Sequence, residues 1–211
     1  MARRQNYPAH PLPVRIMHWI GAVAVICLIL SGWAIYNASP LPLLTFPRWM
    51  TLGGWLGAGI AWHLSAVWVL FADGLAYLGY GIVSGHFRRD ILPPWPKVIL
   101  RDLNDALHFR LPHQLGYYNG VQRLLYMGVI IVICLSVVTG FSIWKPVQLG
   151  WLTDLFGGYP VARIIHLSMM FLILGFLIIH LTLVAIVPRT LVSMLAPLRS
   201  DPDGAPRGGT R

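Results

Sequence analysis

The sequence predicts an all-α integral membrane protein, a bundle of four transmembrane helices with both termini in the cytoplasm, on three observations. First, the 211 residues are 56% hydrophobic and only 11% charged, whereas a soluble domain is about 25% charged. Second, four long stretches contain no charged side chain: residues 16–37, 50–72, 124–144 and 164–188. Each reaches the roughly 20 residues that a helix needs to cross a bilayer. Third, lysine and arginine are concentrated on one side of the predicted bundle.

The distribution of basic residues gives the predicted orientation, because Lys and Arg collect in the cytoplasmic connections of membrane proteins. Two connections hold only Arg48, Lys145 and Arg163. The N-terminal segment, the middle connection and the C-terminal tail hold the rest: Arg3, Arg4, Arg15, Arg88, Arg89, Lys97, Arg101, Arg110, Arg123, Arg189, Arg199, Arg207 and Arg211. We therefore expect a multi-pass membrane protein whose termini and middle connection face the cytoplasm. The net charge of +9 then needs no nucleic-acid partner to explain it.

The predicted elements follow in order along a single four-helix domain, residues 1–196. Helices are expected at about residues 14–37, 50–83, 120–145 and 160–188. The first is too long for the apolar core of a cleaved signal peptide, and no A-x-A site follows it. The tail, residues 197–211, is rich in Gly, Pro, Asp and Arg and is expected to be disordered.

Two features inside the apolar stretches bear on chemistry. The second helix either ends near Ala72 or continues past Asp73 to about Val83, which would place a carboxylate in the membrane, where ionisable groups are usually functional. The two cysteines, Cys27 and Cys134, both lie in apolar stretches. Their number and placement exclude a disulfide framework, a four-thiolate zinc site and a CxxCH attachment site for covalent haem.

Four of the eight histidines lie within the predicted helices, and their spacing pairs them. His166 and His180 are 14 residues apart, so they lie within about 40° of the same helix face and about 21 Å apart along the axis. The first helix enters from the cytoplasm, which places His18 level with His180. The second helix enters from outside, and His63 lies about two turns below Trp55, which places it level with His166. The other four are expected to be solvated or interfacial: His10, His86, His108 and His113.

Two imidazole pairs at two depths indicate two b-type haems. The structural alternative is that a single membrane histidine hydrogen-bonds across helices. Zinc and di-iron sites require further protein ligands, and the chain contains no Glu to supply them. A haem supplies four nitrogens itself, so two axial imidazoles complete its iron. Arg15 and Arg163 each precede a histidine by about one turn. They are expected to bind the haem propionates, with interfacial anchoring as the alternative.

Three segments resemble a known superfamily. Residues 15–19, Arg-Ile-Met-His-Trp, followed by Ser31-Gly32, look like the first helix of the four-helix di-haem cytochrome b membrane subunits. Residues 163–166, with His180, match its fourth helix. Residues 118–123, with Tyr126 and Thr139-Gly140, resemble the third helix of its thiosulfate-reductase-type members. The superfamily includes the cytochrome b subunits of formate dehydrogenase-N (gamma) and nickel-iron hydrogenases, thiosulfate-reductase-type cytochrome b and bacterial cytochrome b561.

The resemblance implies that the protein carries electrons between the quinone pool and an oxidoreductase partner on the periplasmic side. The third-helix segment favours a molybdenum enzyme over a hydrogenase as that partner. Quinone would bind near the His18–His180 haem. Its candidate contacts, each with interfacial polar packing as the alternative, are Tyr118, Asn119, Gln122, Asp73 and His113. Asp73 would there take up or release the quinol proton.

Two other functions stay open on the sequence. One is a stand-alone b561-type oxidoreductase that passes an electron from a small reductant, for example superoxide, to quinone. Arg48, Lys145 and Arg163 could attract such an anion to the outer side. The other is a haem-free transporter or assembly protein with structural histidines. Four helices without an inverted repeat argue against a transporter.

Overall fold

The computed structural model describes residues 11–41, 44–85, 101 and 120–195. Every regular element in these residues is helical, which confirms the all-α prediction. The helices are α1 (Leu12–Tyr36), a short 3-10 helix (Arg48–Met50), α2 (Leu56–Val83), α3 (Gly120–Trp144), α4 (Gly150–Leu155), α5 (Tyr159–Ile186) and α6 (Arg189–Leu195). The predicted disordered tail and most of the middle connection lie outside the described residues.

Four helices are long and apolar enough to cross a membrane: α1, α2, α5 and the part of α3 from Arg123 to Trp144. Most of their apolar side chains are at least partly exposed in the isolated chain, and along α5 only Ala162 is buried. An exposed apolar surface of this extent is what helices need where they face lipid. The chain is a multi-pass membrane protein.

The four long helices pack as two hairpins. Helix α1 lies against α2, and α3 lies against α5, with fewer close backbone approaches between the hairpins. Small residues allow the first contact: a Cβ atom added to Gly59 of α2 would lie 3.1 Å from the Cβ atom of Ala34 in α1. Close approach at small residues is how membrane helices associate in the absence of a hydrophobic driving force.

The start of α2 differs from the prediction. The second helix was expected from about residue 50 because the chain there carries no charge, but α2 begins at Leu56. Gly53 and Gly54 have φ angles of 107° and 70°, a region that glycine adopts readily and other residues avoid. The chain therefore turns at the glycine pair before the helix begins. At its other end α2 continues to Val83, so Asp73 lies inside it.

The described parts of the connections 37–55 and 145–158 (residues 37–41, 44–55 and 145–158) lie at one end of the bundle, called here the connection end. Hydrogen bonds hold the first of them: Asn37 donates its Nδ2 proton to the carbonyl oxygen of Phe46 (2.8 Å) and accepts from the Phe46 amide at Oδ1 (2.9 Å). The Phe46 ring stacks on Trp33 of α1 with centroids 4.6 Å apart. Arg163, near the start of α5, donates to the carbonyl oxygen of Ser39 (2.6 Å) and ties the hairpins together there.

Candidate haem-binding site

The four helix histidines lie together in two pairs. The ring centroids of His18 and His180 are 6.1 Å apart, with planes inclined at 63°. Those of His63 and His166 are 6.3 Å apart, with planes inclined at 67°. Because His166 and His180 share the unbroken helix α5, the two pairs are separated by about 21 Å along it. Each pair joins α5 to a helix of the other hairpin.

The spacing within each pair fits an iron atom between two imidazoles. Metal–nitrogen bonds of about 2 Å, with about 1 Å from each nitrogen to the centre of its ring, place two axial ring centres roughly 6 Å apart. Among the described residues, no group of three or more His, Cys, Asp or Glu side chains could hold a metal ion. A haem needs only two protein ligands, so these two-imidazole sites suit a haem better than a bare metal ion.

The His63 ring is fixed by α1. Its Nδ1 atom lies 3.1 Å from Ser31 Oγ, and the backbone of Leu28 is a second hydrogen-bond partner of the ring. The Ser31 hydroxyl donates its own proton to the carbonyl oxygen of Cys27 (2.5 Å). The Ser31 oxygen is then left to accept from the ring, so Nδ1 of His63 carries the ring proton and Nε2 has a lone pair free to bind a metal.

The His166 ring is fixed in the same way by α3. Its Nδ1 atom lies 3.0 Å from the carbonyl oxygen of Ser136 and 3.1 Å from Thr139 Oγ1. The Thr139 hydroxyl donates to the carbonyl oxygen of Leu135 (2.7 Å). Here too Nδ1 holds the proton, and Nε2 is the atom free to ligate.

An aromatic ring contacts each histidine of the His18–His180 pair. Phe176, one turn before His180 on α5, stacks on its imidazole with centroids 5.7 Å apart and planes inclined at 12°. Trp19 contacts His18 edge-on, with centroids 5.5 Å apart. These contacts restrict the rotation of both imidazoles.

The two arginines predicted at haem propionates both bind backbone carbonyls. Arg15 donates from Nε to the carbonyl oxygen of Met194 (3.0 Å) and from NH2 to that of Leu195, at the C-terminal end of α6. Arg163 bonds Ser39, as described above, and its guanidinium lies 6.0 Å from the centre of the Tyr159 ring. A guanidinium has five N–H donors, so these bonds leave each arginine with further donors near its histidine pair.

The predicted quinone contacts are only partly described. Tyr118, Asn119 and His113 lie outside the described residues, as does the side chain of Gln122. Asp73 is half-buried in α2, and a Cβ atom added to Gly21 of α1 would lie 3.1 Å from its Oδ2 atom. Gly21 is three residues from His18, so the Asp73 carboxylate lies about one helical turn from the level of the His18–His180 pair.

The contacts of the Ser31 and Thr139 hydroxyl groups with the histidine rings are those that reasoning from single helices missed. Both had been noted only through the resemblance of Ser31-Gly32 and Thr139-Gly140 to family segments. The signal that could have found them is the repeated order hydroxyl then glycine, on each of the two helices that pack against a histidine-bearing helix.

Comparison with known proteins identifies the family of the chain. A family model described as prokaryotic cytochrome b561 matches residues 9–197. A relative from Azospira oryzae, named "Putative protein-methionine-sulfoxide reductase subunit YedZ1", is 42% identical over 193 residues, covering 91% of this chain and 98% of the relative. Another from Azotobacter chroococcum mcd 1, named "Probable Ni/Fe-hydrogenase B-type cytochrome subunit", is 27% identical, covering 82% of this chain and 78% of the relative. Four membrane helices, paired histidines and a match over nearly the whole chain place this protein in the prokaryotic cytochrome b561 family.

Proposed function

We propose that this chain is the membrane cytochrome of an electron-transfer complex, and that it holds two b haems, one between His18 and His180 and one between His63 and His166. The observation that carries the proposal is the pair of imidazole–imidazole separations, 6.1 and 6.3 Å, at two depths of one helix bundle. When bound, the haems supply one-electron carriers on the two sides of the bilayer.

The chain itself binds the haems, orients their histidine ligands and insulates the electron path from water. Helix α5 carries one ligand of each pair and so sets their separation, while α1 and α2 supply the opposing ligands. Ser31 and Thr139, with neighbouring carbonyls, hold the Nδ1 protons of His63 and His166 and so present Nε2. The apolar helices keep water away from the path, which hinders proton and electron leakage.

We propose that quinol donates electrons to the protein, or quinone accepts them from it, near the His18–His180 pair. The half-buried Asp73 supports this placement, since a carboxylate within a membrane helix is costly and usually functional. In this proposal Asp73 exchanges the proton that accompanies quinone reduction or quinol oxidation. Tyr118, Asn119 and Gln122 are proposed quinone contacts from the family resemblance.

The partner is proposed to dock at the connection end, on the periplasmic side of a bacterial inner membrane. This orientation follows from the scarcity of basic residues in connections 37–55 and 145–158. Of the two relatives, the one named as a reductase subunit is the more similar, over nearly the full length of both chains. We therefore propose a reductase of oxidised methionine in proteins, of the molybdenum-enzyme type, rather than a hydrogenase. Electrons would then flow outward from quinol.

The experiment is isolation of the intact complex from native membranes, followed by quinol addition. A second polypeptide should co-purify, and quinol should reduce the chain and support reduction of a methionine-sulfoxide peptide. Hydrogen-dependent reduction would instead identify a hydrogenase. A chain that purifies alone and passes electrons from superoxide to quinone would replace the proposal with the stand-alone function.

A further inference from the structure

Helices α1 and α3 contain the same three-part arrangement, each against one imidazole of the His63–His166 pair. In α1 it consists of the Leu28 carbonyl, the Ser31 hydroxyl and Gly32; in α3 it consists of the Ser136 carbonyl, the Thr139 hydroxyl and Gly140. The spacing is identical: the hydroxyl follows the carbonyl by three residues and the glycine follows at once. Each set is called here a histidine cradle.

The hydrogen positions within the cradles follow from the acceptors available. Ser31 and Thr139 each turn the hydroxyl proton towards the carbonyl four residues earlier in their own helix, at 2.5 and 2.7 Å. The hydroxyl oxygen is then an acceptor towards the ring, as is the carbonyl. His166 therefore donates its Nδ1–H towards two acceptors, the Thr139 hydroxyl and the Ser136 carbonyl, and His63 donates its Nδ1–H to the Ser31 hydroxyl. Such acceptors increase electron donation from Nε2.

The glycines determine how closely the rings approach. A Cβ atom added to Gly32 would lie 3.4 Å from Cε1 of His63, and one added to Gly140 would lie 3.2 Å from Cε1 of His166. Each ring thus lies against the helix backbone: a Cβ atom at Gly140 would crowd the His166 ring, and one at Gly32 would touch the His63 ring at van der Waals distance. The cradle fixes the rotation of the ring as well as its tautomer.

We propose that Ser31 and Thr139 are positioning residues that lower the reduction potential of the iron held by His63 and His166; this rests on the proposed ligation by those histidines. An acceptor at Nδ1 makes the ligand more electron-donating, which stabilises the oxidised iron. A buried hydroxyl also stabilises the additional positive charge of the oxidised state. Both effects have the same sign, so removing the hydroxyl raises the potential.

The test is a redox titration of the purified full chain, with haem counted by pyridine haemochrome. Thr139→Val keeps the branched shape and removes the acceptor, while the Ser136 carbonyl remains to hold the tautomer. We expect two haems to be retained and one midpoint potential to become more positive, by up to about tenfold in the reduction equilibrium, or about 59 mV for one electron. Thr139→Ser keeps the hydroxyl and should therefore have the midpoint potential of the wild-type chain.

Ser31→Ala tests the same claim at His63, the other histidine of the pair. If one of the two variants fails to fold, the other still tests the inference. The matched control is Thr182→Val: Thr182 donates to the carbonyl of Ile178 (2.7 Å) in the same intrahelical manner but is exposed. It should move neither potential. Two retained haems with unchanged potentials in both cradle variants would overturn the inference. A wild-type chain that binds fewer than two haems would instead overturn the proposed function.

Discussion

His63 and His166 face each other with ring centres 6.3 Å apart, and each donates its Nδ1 proton to a helix other than its own. His63 belongs to α2 and is held by α1, whereas His166 belongs to α5 and is held by α3. In each hairpin, therefore, one helix carries the histidine and the other helix fixes the orientation of its ring. The ring faces the histidine of the other hairpin. The proposed haem site is assembled only when the two hairpins meet.

Replacing His180 by alanine should remove one haem and leave the other. The two pairs are about 21 Å apart along α5, so loss of one ligand leaves the His63–His166 pair intact. Pyridine haemochrome assay should give about one haem per chain, and His63→Ala should remove the other haem while sparing the first. Equal loss of both haems in each variant would contradict independent pairs.

Replacing Gly140 by alanine should weaken haem retention at the His63–His166 pair. The new Cβ atom would lie 3.2 Å from Cε1 of His166, so the ring must shift by a few tenths of an ångström, which strains its Nδ1 hydrogen bonds. Displacement of a supported ligand costs about tenfold or more in affinity for the metal group. The rate at which haem is lost to an excess of a haem-binding apo-protein measures this change in retention. Gly79→Ala is the control, since a Cβ atom at Gly79 meets nothing within 4 Å; equal loss rates in the two variants would contradict the cradle geometry.

The sequence was sufficient for the spans and for pairing the histidines by depth, because both follow from rise and rotation along single helices. It was insufficient for the start of α2, since the stretch without charge continues through a turn that Gly53 and Gly54 make. It also missed the hydroxyl contacts of Ser31 and Thr139. These depend on the rotation of α1 against α2 and of α3 against α5, which the pattern of one helix does not fix.

Asp73→Asn should slow reduction of the protein by quinol by about tenfold or more, because loss of a positioned proton acceptor has effects of at least that size. Reduction by dithionite, which needs no quinol proton transfer, should stay unchanged. Asp154→Asn serves as the control, because Asp154 is an exposed carboxylate in α4 at the connection end. Stopped-flow absorbance measures both rates, and unchanged quinol kinetics in Asp73→Asn would remove Asp73 from the proposed site.

Arg15→Ala should loosen α6. The guanidinium bonds the carbonyl oxygens of Met194 and Leu195 at the negative end of that helix, an interaction of about 1 kcal/mol when partly solvated. Hydrogen exchange of the α6 amides should accelerate severalfold. Trp19→Phe removes only the longer bond from the indole nitrogen to Met194 (3.4 Å) and should have a smaller effect. Identical exchange in wild type and Arg15→Ala would show that Arg15 does not hold α6.

The most direct test of the account is the haem content of the purified chain. Reduced-minus-oxidised spectra should show b-type bands, and pyridine haemochrome assay should give about two haems per chain. A stable, folded and colourless protein would contradict the assignment of the four imidazoles as iron ligands.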